Sequence, residues 1–230
     1  AWAPGSNADS VVDYVLSAIA SCADKLERLL HGEALGIVGY GHIGRRLHQR
    51  MAAFGIKVRA FDPWLSAETY PVLEDLASVL DSEVVTLHAE LTQRQPHPSF
   101  HLLDRDTLEA LRCGSLLISA GRGEVIDTEQ LLDMHRQGLD CQLVLDVWEN
   151  EPLVPLALLE RCLFGTAHIA GYSTDGKRRA TRMLFDACVE SLQMNVSAGC
   201  DDGGSALAVE VTGDLHGAQL IRFLMLQIYD

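Results

Sequence analysis

Three residues in the second half of the chain are of types that could move a proton beside a carboxylate. Arg122 lies in a Ser-Ala-Gly-Arg-Gly segment, Glu151 directly precedes a proline, and His168 lies in a Thr-Ala-His-Ile-Ala segment. An arginine can hold a carboxylate by two parallel hydrogen bonds. A histidine titrates near neutral pH and can accept or return a proton, and a neighbouring carboxylate orients its ring. Together these residues suit chemistry at a hydroxyl carbon next to a carboxylate, provided that the fold brings them to one place.

Three glycines near the start of the chain have the spacing G-x-G-x-x-G: Gly39, Gly41 and Gly44. In this spacing the first glycine allows a tight turn, the second lets backbone N–H groups approach a pyrophosphate, and the third lets a helix pack closely. A second predicted strand, 57–61, is followed directly by Asp62. An acidic residue there would hold a ribose hydroxyl and repel the extra phosphate of NADP. The pattern predicts an NAD site, and a bound NAD would make the first three residues suitable for hydride transfer.

The elements that must position these residues alternate between short apolar strands and helical segments. Strands are predicted at 35–38, 57–61, 83–88, 115–120, 142–146 and within 164–170. Helices are predicted at 9–30, 42–54, 72–80, 104–112, 127–137, 156–161, 174–194 and 218–229. Repeated β-α-β units predict the α/β class, with a doubly wound, mostly parallel sheet of the Rossmann type. Ligands of such sheets bind beyond the carboxyl ends of the strands, which is where the candidate residues lie.

Composition narrows the class of protein further. The chain has 230 residues, 48% hydrophobic and 22% charged, with a mean hydropathy of +0.10, as expected of a globular protein. A net charge of −14 argues against nucleic acid as a partner. Six cysteines without C-x-x-C spacing predict reduced thiols in a cytoplasmic protein, and we predict no metal site. No apolar run reaches the roughly 18 residues of a membrane span, and no secretory signal is visible.

The chain resembles the D-isomer-specific 2-hydroxyacid dehydrogenases. The resemblance runs from about residue 3 to residue 193, and its motifs are residues 39–44, 119–127, 146–152 and 168–171. It implies an enzyme that oxidises the C2 hydroxyl of a hydroxyacid with NAD. Residues 165–177 narrow the resemblance to a branch whose substrate is a small phosphorylated hydroxyacid, 4-phospho-D-erythronate, because most relatives lack Tyr172 and the Gly-Lys pair that follows it.

The same resemblance implies a role for each candidate residue. Arg122 would bind the substrate carboxylate and hydroxyl oxygen, and His168 would be the acid and base. Glu151, rather than Glu149, would pair with His168, and Tyr172 would contact the substrate. The implied cofactor contacts are Gly39, Gly41, His42, Ile43, Gly44, Asp62, Ala120, Gly121, Asp146 and Gly171.

Departures from the family pattern indicate a partial chain. The family's N-terminal substrate-binding portion is absent, and the usual His-Thr-Pro after the third strand reads His88-Ala-Glu, which removes one expected cofactor contact. We expect a homodimer when the protein is full length. The predicted divisions are a linking helix at 1–30, an NAD-binding domain at 31–171, a helix returning to the substrate domain at 172–196, and a linker with the start of a dimerisation domain at 197–230. Within the last division, residues 197–205 are the predicted linker and residues 206–211 a predicted strand.

The sequence is also compatible with two other functions, and it leaves two interpretations of one basic segment. The enzyme could act on another D-2-hydroxyacid, such as phosphoglycerate or glycerate, or the chain could be a non-catalytic NAD-binding module. The basic run 177–179 could be a solvated helix face, or it could face a phosphate group of the substrate.

Overall fold

A parallel β-sheet forms the middle of the protein in this computed structural model, which describes residues 2–194, 196, 209, 211 and 214–227. The strands are β1 (Ala34–Val38), β2 (Lys57–Phe61), β3 (Val84–Leu87), β4 (Ser115–Ser119), β5 (Cys141–Leu145) and β6 (Cys162–Gly165). Their order across the sheet is β2-β1-β3-β4-β5-β6, and every neighbouring pair is parallel. The predicted doubly wound sheet is confirmed.

The helices on the two faces follow the predicted positions, with different lengths. They are α1 (Ala8–Ser21), α2 (Ala23–Leu30), α3 (His42–Ala53), α4 (Leu76–Leu80), α5 (Arg105–Leu108), α6 (Thr128–Arg136), α7 (Leu156–Leu159), α8 (Thr174–Ser191) and α9 (Gly217–Leu226), with a 3₁₀ turn at Gly123–Val125. The single helix predicted at 9–30 is wrong, because Cys22 leaves the helical conformation and ends α1 while beginning α2. The helix predicted at 72–80 starts later, since Leu73 pairs with Ala60 of β2 instead.

Alternate residues of the buried strands serve two separate hydrophobic cores, one on each face of the sheet. On β4, Leu116 and Ile118 belong to the core that α1 and α3 cover, whereas Leu117 belongs to the opposite core. The strand is buried at every position, as expected for a parallel sheet with helices on both faces. This burial holds the carboxyl ends of β1, β3, β4 and β5 side by side, and the glycine turn, Arg122 and Asp146 follow three of those ends. Asp62 and His168 follow β2 and β6, the less buried strands at the two edges of the sheet.

The last described helix, α9, packs on α1 and α2. Met225 is 1% exposed within the core of the α1 face, and Arg222 Nε donates a hydrogen bond to the Ala20 carbonyl (2.8 Å). The helix predicted at 218–229 is confirmed over its described part. The predicted linker at 197–205 and most of the predicted strand at 206–211 lie outside the described residues. The start of a dimerisation domain in this region stays a prediction.

The described residues show two further features of the chain. No helix among them is long and apolar enough to cross a membrane. The cysteines of this part of the chain are free thiols, namely Cys22, Cys113, Cys141, Cys162 and Cys188.

Candidate active site

The turn between β1 and α3 has the shape that the glycine spacing predicts. Gly39 has a φ of +95°, and a Cβ there would lie 2.5 Å from the backbone nitrogen of Ala89 after β3. At Gly44, a Cβ would lie 2.3 Å from the Gly39 carbonyl oxygen. At Gly41, by contrast, a Cβ would meet nothing within 4 Å. The first and third glycines therefore allow close packing, and the second leaves open space beside the helix, which suits a pyrophosphate.

The amino end of α3 supplies the positive pole for that space. Its first intrahelical hydrogen bond runs from Arg45 N–H to the Gly41 carbonyl (3.1 Å), so the N–H groups of residues 42–44 precede the helical pattern. Such groups, together with the helix dipole, make the amino end of a helix a site for anions. This fits the cofactor contacts expected of His42, Ile43 and Gly44.

Asp62 lies next to the glycine turn in a defined orientation. Its Oδ2 accepts a hydrogen bond from the Tyr40 N–H (3.0 Å), and its Oδ1 accepts one from the Trp64 N–H (3.1 Å). The nearby Arg59 points to α4 instead, where its guanidinium donates to the Ser78 carbonyl (2.9 Å). A carboxylate without that arginine beside it favours NAD over NADP.

One large cavity joins these features with the candidate catalytic residues. It has a volume of about 1180 Å³ and lies along the carboxyl ends of the strands. That volume exceeds the ~300–1,000 Å³ of ordinary small-molecule sites, as a dinucleotide and a substrate together require. The predicted residues that line it are Gly39, Gly41, His42, Ile43, Asp62, Ala120, Gly121, Arg122, Asp146, His168, Gly171 and Tyr172. Gly44 and Glu151 do not line the cavity. Gly44 packs against Gly39, and Glu151 bonds His168, and both of these partners line it.

His168 and Glu151 form a hydrogen-bonded pair, with 2.8 Å between His168 Nδ1 and Glu151 Oε2. Glu151 Oε1 also accepts a hydrogen bond from the Trp148 N–H (2.8 Å). Partial burial by itself would raise the pKa of Glu151, but these hydrogen bonds and the charge of Arg122 hold it below its ordinary value. The carboxylate is therefore ionised at neutral pH, and Nδ1 of the histidine is the nitrogen that carries hydrogen toward it.

The loops that carry the catalytic residues are packed against each other. A Cβ at Gly123, directly after Arg122, would lie 2.1 Å from the carbonyl carbon of Trp148. Only a glycine allows the loop after β4 to approach the loop after β5 so closely. Arg122 lines the cavity, and its guanidinium donates to the Gly121 carbonyl (2.7 Å). The close approach brings Arg122 to the same cavity as His168.

Asp146 organises the histidine loop, a role that sequence reasoning missed. Asp146 is 1% exposed. Its Oδ1 accepts hydrogen bonds from Thr166 Oγ1 (2.6 Å) and from the Ile169 N–H (2.8 Å). Its Oδ2 accepts a hydrogen bond from the Ala170 N–H (2.9 Å). Its carbonyl accepts a hydrogen bond from the His168 N–H (2.7 Å). The sequence signal for this role is an aspartate at the end of a buried strand.

Glu149 does not take part in the pair. Its Oε1 lies 2.7 Å from His101 Nε2, and its Oε2 accepts a hydrogen bond from the Thr128 N–H (3.0 Å). It fastens its loop to the amino end of α6, while Glu151 faces His168. The choice of Glu151 over Glu149 agrees with this geometry.

Tyr172 lines the large cavity, and Lys177 lies against its ring. Tyr172 is 72% exposed, and Lys177 Nζ lies 3.4 Å from the centre of its ring. The hydrogen bond and charge of Lys177 lower the pKa of Tyr172. Arg179, from the same basic run, instead pairs with Asp9 of α1. Two cations of the run therefore have different surroundings, since Lys177 lies against Tyr172 and Arg179 joins α8 to α1.

His88 is a lining residue to which sequence reasoning gave no role. It follows β3, its Nε2 lies 2.9 Å from Thr86 Oγ1, and its Nδ1 is shielded from solvent without a hydrogen-bond partner among the described residues. Burial lowers its pKa to about 3, so the ring is neutral at physiological pH. The next residue, Ala89, packs beneath Gly39.

Comparisons with known proteins identify the family of the chain. Residues 17–170 match the family described as D-isomer specific 2-hydroxyacid dehydrogenase, NAD binding domain. Among curated relatives, the erythronate-4-phosphate dehydrogenase of Cellvibrio japonicus is 40% identical over 235 residues, which cover 100% of this chain and 61% of the relative. The enzyme of the same name from Psychromonas ingrahamii is 39% identical over 84% of this chain and 50% of its own. The chain thus spans about half to three fifths of these relatives.

Solved structures show the same fold. Apo D-mandelate dehydrogenase of Rhodotorula graminis has a TM-score of 0.68 at 22% identity, covering 82% of this chain and 63% of that one. D-Lactate dehydrogenase of Aquifex aeolicus, complexed with NAD and lactic acid, has a TM-score of 0.63 at 22% identity, covering 81% and 67%. The family match covers well over half of the 230 residues and includes the glycine turn and His168. The chain therefore belongs to the D-isomer-specific 2-hydroxyacid dehydrogenases and carries their NAD-binding domain.

Proposed function

We propose that this chain is the NAD-binding and catalytic part of an erythronate-4-phosphate dehydrogenase. It would oxidise the C2 hydroxyl of 4-phospho-D-erythronate to 2-oxo-3-hydroxy-4-phosphobutanoate in pyridoxal 5′-phosphate biosynthesis. The observation that carries the proposal is the Glu151–His168 pair, which opens on the same cavity as Arg122 and the glycine turn. The relatives of that name, at about 40% identity, support the choice of substrate.

The residues that would hold NAD are those of the glycine turn, the amino end of α3 and Asp62. The open space at Gly41 and the N–H groups of residues 42–44 suit the pyrophosphate, and Asp62 suits a ribose hydroxyl. When bound, NAD supplies the acceptor for the hydride that leaves C2. Ala120, Gly121, Asp146 and Gly171 complete the proposed cofactor contacts.

The protein's own residues account for the proton and for the orientation of the substrate. Arg122 would bind the substrate carboxylate by paired hydrogen bonds. Because Nδ1 of His168 faces Glu151, Nε2 is the nitrogen that would take the proton from the C2 hydroxyl. The ionised Glu151 would stabilise the imidazolium that results. Reduction of the oxoacid would run in reverse, with His168 returning the proton.

The proposed phosphate end of the substrate would lie at the rim of the cavity. Tyr172 would contact the substrate, and Lys177 beside it forms no ion pair with a carboxylate among the described residues. A cation at the rim would offset the field of a protein whose net charge is −14. This arrangement favours a phosphorylated acid over glycerate.

The remaining proposals concern the whole protein. We propose a cytoplasmic homodimer in which residues 1–30 link the NAD-binding domain (31–171) to a substrate domain. Residues 172–196 would return to that domain, and residues 197–230 would begin a dimerisation domain. The resemblance to the family supports these divisions.

The test is NADH formation from 4-phospho-D-erythronate. It would use this chain and, in parallel, a joined protein in which the N-terminal substrate portion of the Cellvibrio japonicus relative precedes residue 1. We expect turnover in the joined protein, with 4-phospho-D-erythronate preferred over 3-phosphoglycerate and glycerate. A preference for 3-phosphoglycerate would overturn the proposed substrate. NADH binding without turnover of any of these acids would favour a non-catalytic module.

A further inference from the structure

The loop after β3, residues 90–100, reaches from its own strand to the far wall of the cavity. Its base is closed by two hydrogen bonds between Thr92 and Ser99: the Thr92 N–H donates to Ser99 Oγ (2.8 Å), and the Ser99 N–H donates to the Thr92 carbonyl (2.8 Å). Ser99 is buried, whereas residues 93–98 at the tip are all exposed. The loop is therefore anchored at its base and projects a polar tip.

The tip meets Trp64, which belongs to the loop after β2. The guanidinium carbon of Arg94 lies 4.8 Å from the centre of the indole ring. The ring of His97 meets the same indole edge-on, with 5.3 Å between ring centres and 85° between planes. Trp64, Arg94 and His97 all line the large cavity. Because β2 and β3 lie on opposite sides of β1, these contacts cross over the end of the cavity next to the glycine turn.

The position of the contact within the cavity follows from Asp62. The backbone N–H of Trp64 donates a hydrogen bond to Asp62 Oδ1 (3.1 Å), so the loop that carries the indole is held beside the carboxylate that would hold the adenosine ribose. We propose that Trp64, Arg94 and His97 form a clasp over the adenosine end of the cofactor groove, which opens to admit NAD and slows its release. The clasp rests on the proposed function, since it needs NAD to bind in this cavity.

The composition of the clasp suits a closure that opens repeatedly. Trp64 is 44% exposed, and its two partners stand on the exposed tip, so opening uncovers little apolar surface. An exposed cation–π contact contributes about 0.5–1 kcal/mol, which corresponds to a few-fold change in a rate. The contact is therefore strong enough to slow the release of a cofactor and weak enough to break in each cycle.

The experiment measures NADH association and dissociation by stopped flow with this 230-residue chain, using the fluorescence of the nicotinamide, which does not depend on Trp64 emission. The variants are Arg94→Gln, Trp64→Leu and the double variant. Arg136→Gln, which removes an exposed arginine at the end of α6, is the matched control. We expect each single variant to raise both rate constants roughly two- to fivefold. The double variant should go no further than the larger single effect, and the control should match the unaltered chain.

Dissociation rates that Arg94→Gln leaves unchanged, or effects of the two substitutions that multiply in the double variant, would overturn the clasp. An equal effect of Arg136→Gln would also overturn it, since general electrostatics would then explain the change. Failure of the proposed function looks different. In that case the unaltered chain would bind no NADH, or Asp62→Ala would bind it as tightly as the unaltered chain does.

Discussion

The chemistry of His168 depends on which of its neighbours is a carboxylate. A lone histidine or a lone glutamate in a sequence is ambiguous, and Glu149 and Glu151 stand two positions apart in the same loop. The structure separates them, because Glu149 bonds His101 and Thr128 whereas Glu151 bonds His168. The family resemblance favours Glu151, and these three hydrogen bonds give that choice a physical basis.

Replacing His168 tests the acid and base directly. In the joined protein, His168→Asn should lower kcat for 4-phospho-D-erythronate by roughly 10²–10⁴-fold, the usual contribution of a general acid or base. NADH affinity should stay close to that of the unaltered protein, because the glycine turn and Asp62 are untouched. Initial rates and an NADH titration measure both quantities. Unchanged kcat would show that another group moves the proton.

At the scale of elements, the site is built from the turn between β1 and α3 packed against the segment that follows β3. The glycine spacing predicted the turn, but it did not predict that the backbone at Ala89 would lie against Gly39. Helix lengths were harder to predict than strand positions. Leu73 joins a bridge to β2 instead of extending α4, and such pairing with a distant strand is not encoded in helical periodicity.

Alanine substitutions at two glycines distinguish the energetic cost of a left-handed backbone conformation from the cost of a steric clash. Gly39 and Gly138 both have left-handed φ angles, +95° and +102°, but a Cβ at Gly138 would meet nothing within 4 Å. Gly138→Ala should lower the free energy of unfolding by about 1–2 kcal/mol, the cost of that conformation for an L residue. Gly39→Ala should lower it further and weaken NADH binding, since the Cβ collides with backbone.

Urea unfolding of both variants and NADH titration provide the measurements. Equal losses of stability in the two variants, with NADH binding intact in both, would show that the close approach of the Gly39 turn to Ala89 is unimportant.

At the scale of the whole molecule, burial of ionisable groups links stability to pH. His88 has a folded-state pKa of about 3, against an ordinary value of 6.5. Between those values the unfolded chain binds the proton more readily than the folded protein does. Stability should therefore fall as pH decreases from about 6.5 toward 3, by at most about 1.4 kcal/mol per pH unit from this group.

His88→Gln should flatten this dependence. Urea unfolding of the unaltered chain and of the variant, at pH 7.5 and at pH 5, measures the change in the free energy of unfolding. Both pH values lie above the ordinary carboxyl pKa values of 3.8 and 4.5, so that titration of carboxyl groups contributes little. The loss of stability between the two pH values should be smaller in the variant. Parallel losses in both proteins would mean that His88 is not held neutral by burial.

The local properties of the chain determined much of this protein from the sequence alone. The order of strands and helices, the tight turn at Gly39 and the acid at Asp62 all follow from the spacing of apolar residues and glycines over a few positions. Such spacing indicates the local structure directly, because side chains return to the same face every two residues in a strand and every 3.6 residues in a helix. Local spacing therefore suffices to place the candidate site residues at the ends of strands.

Only the tertiary structure decided which distant residues meet. Arg94 covers Trp64, α9 packs on α1, and Asp146 holds the loop of His168 through buried hydrogen bonds. Each contact joins segments far apart in the chain or on separate loops, and no local period records such a meeting. These contacts arise when the sheet forms, since burying its two faces brings the loops at the ends of its strands together.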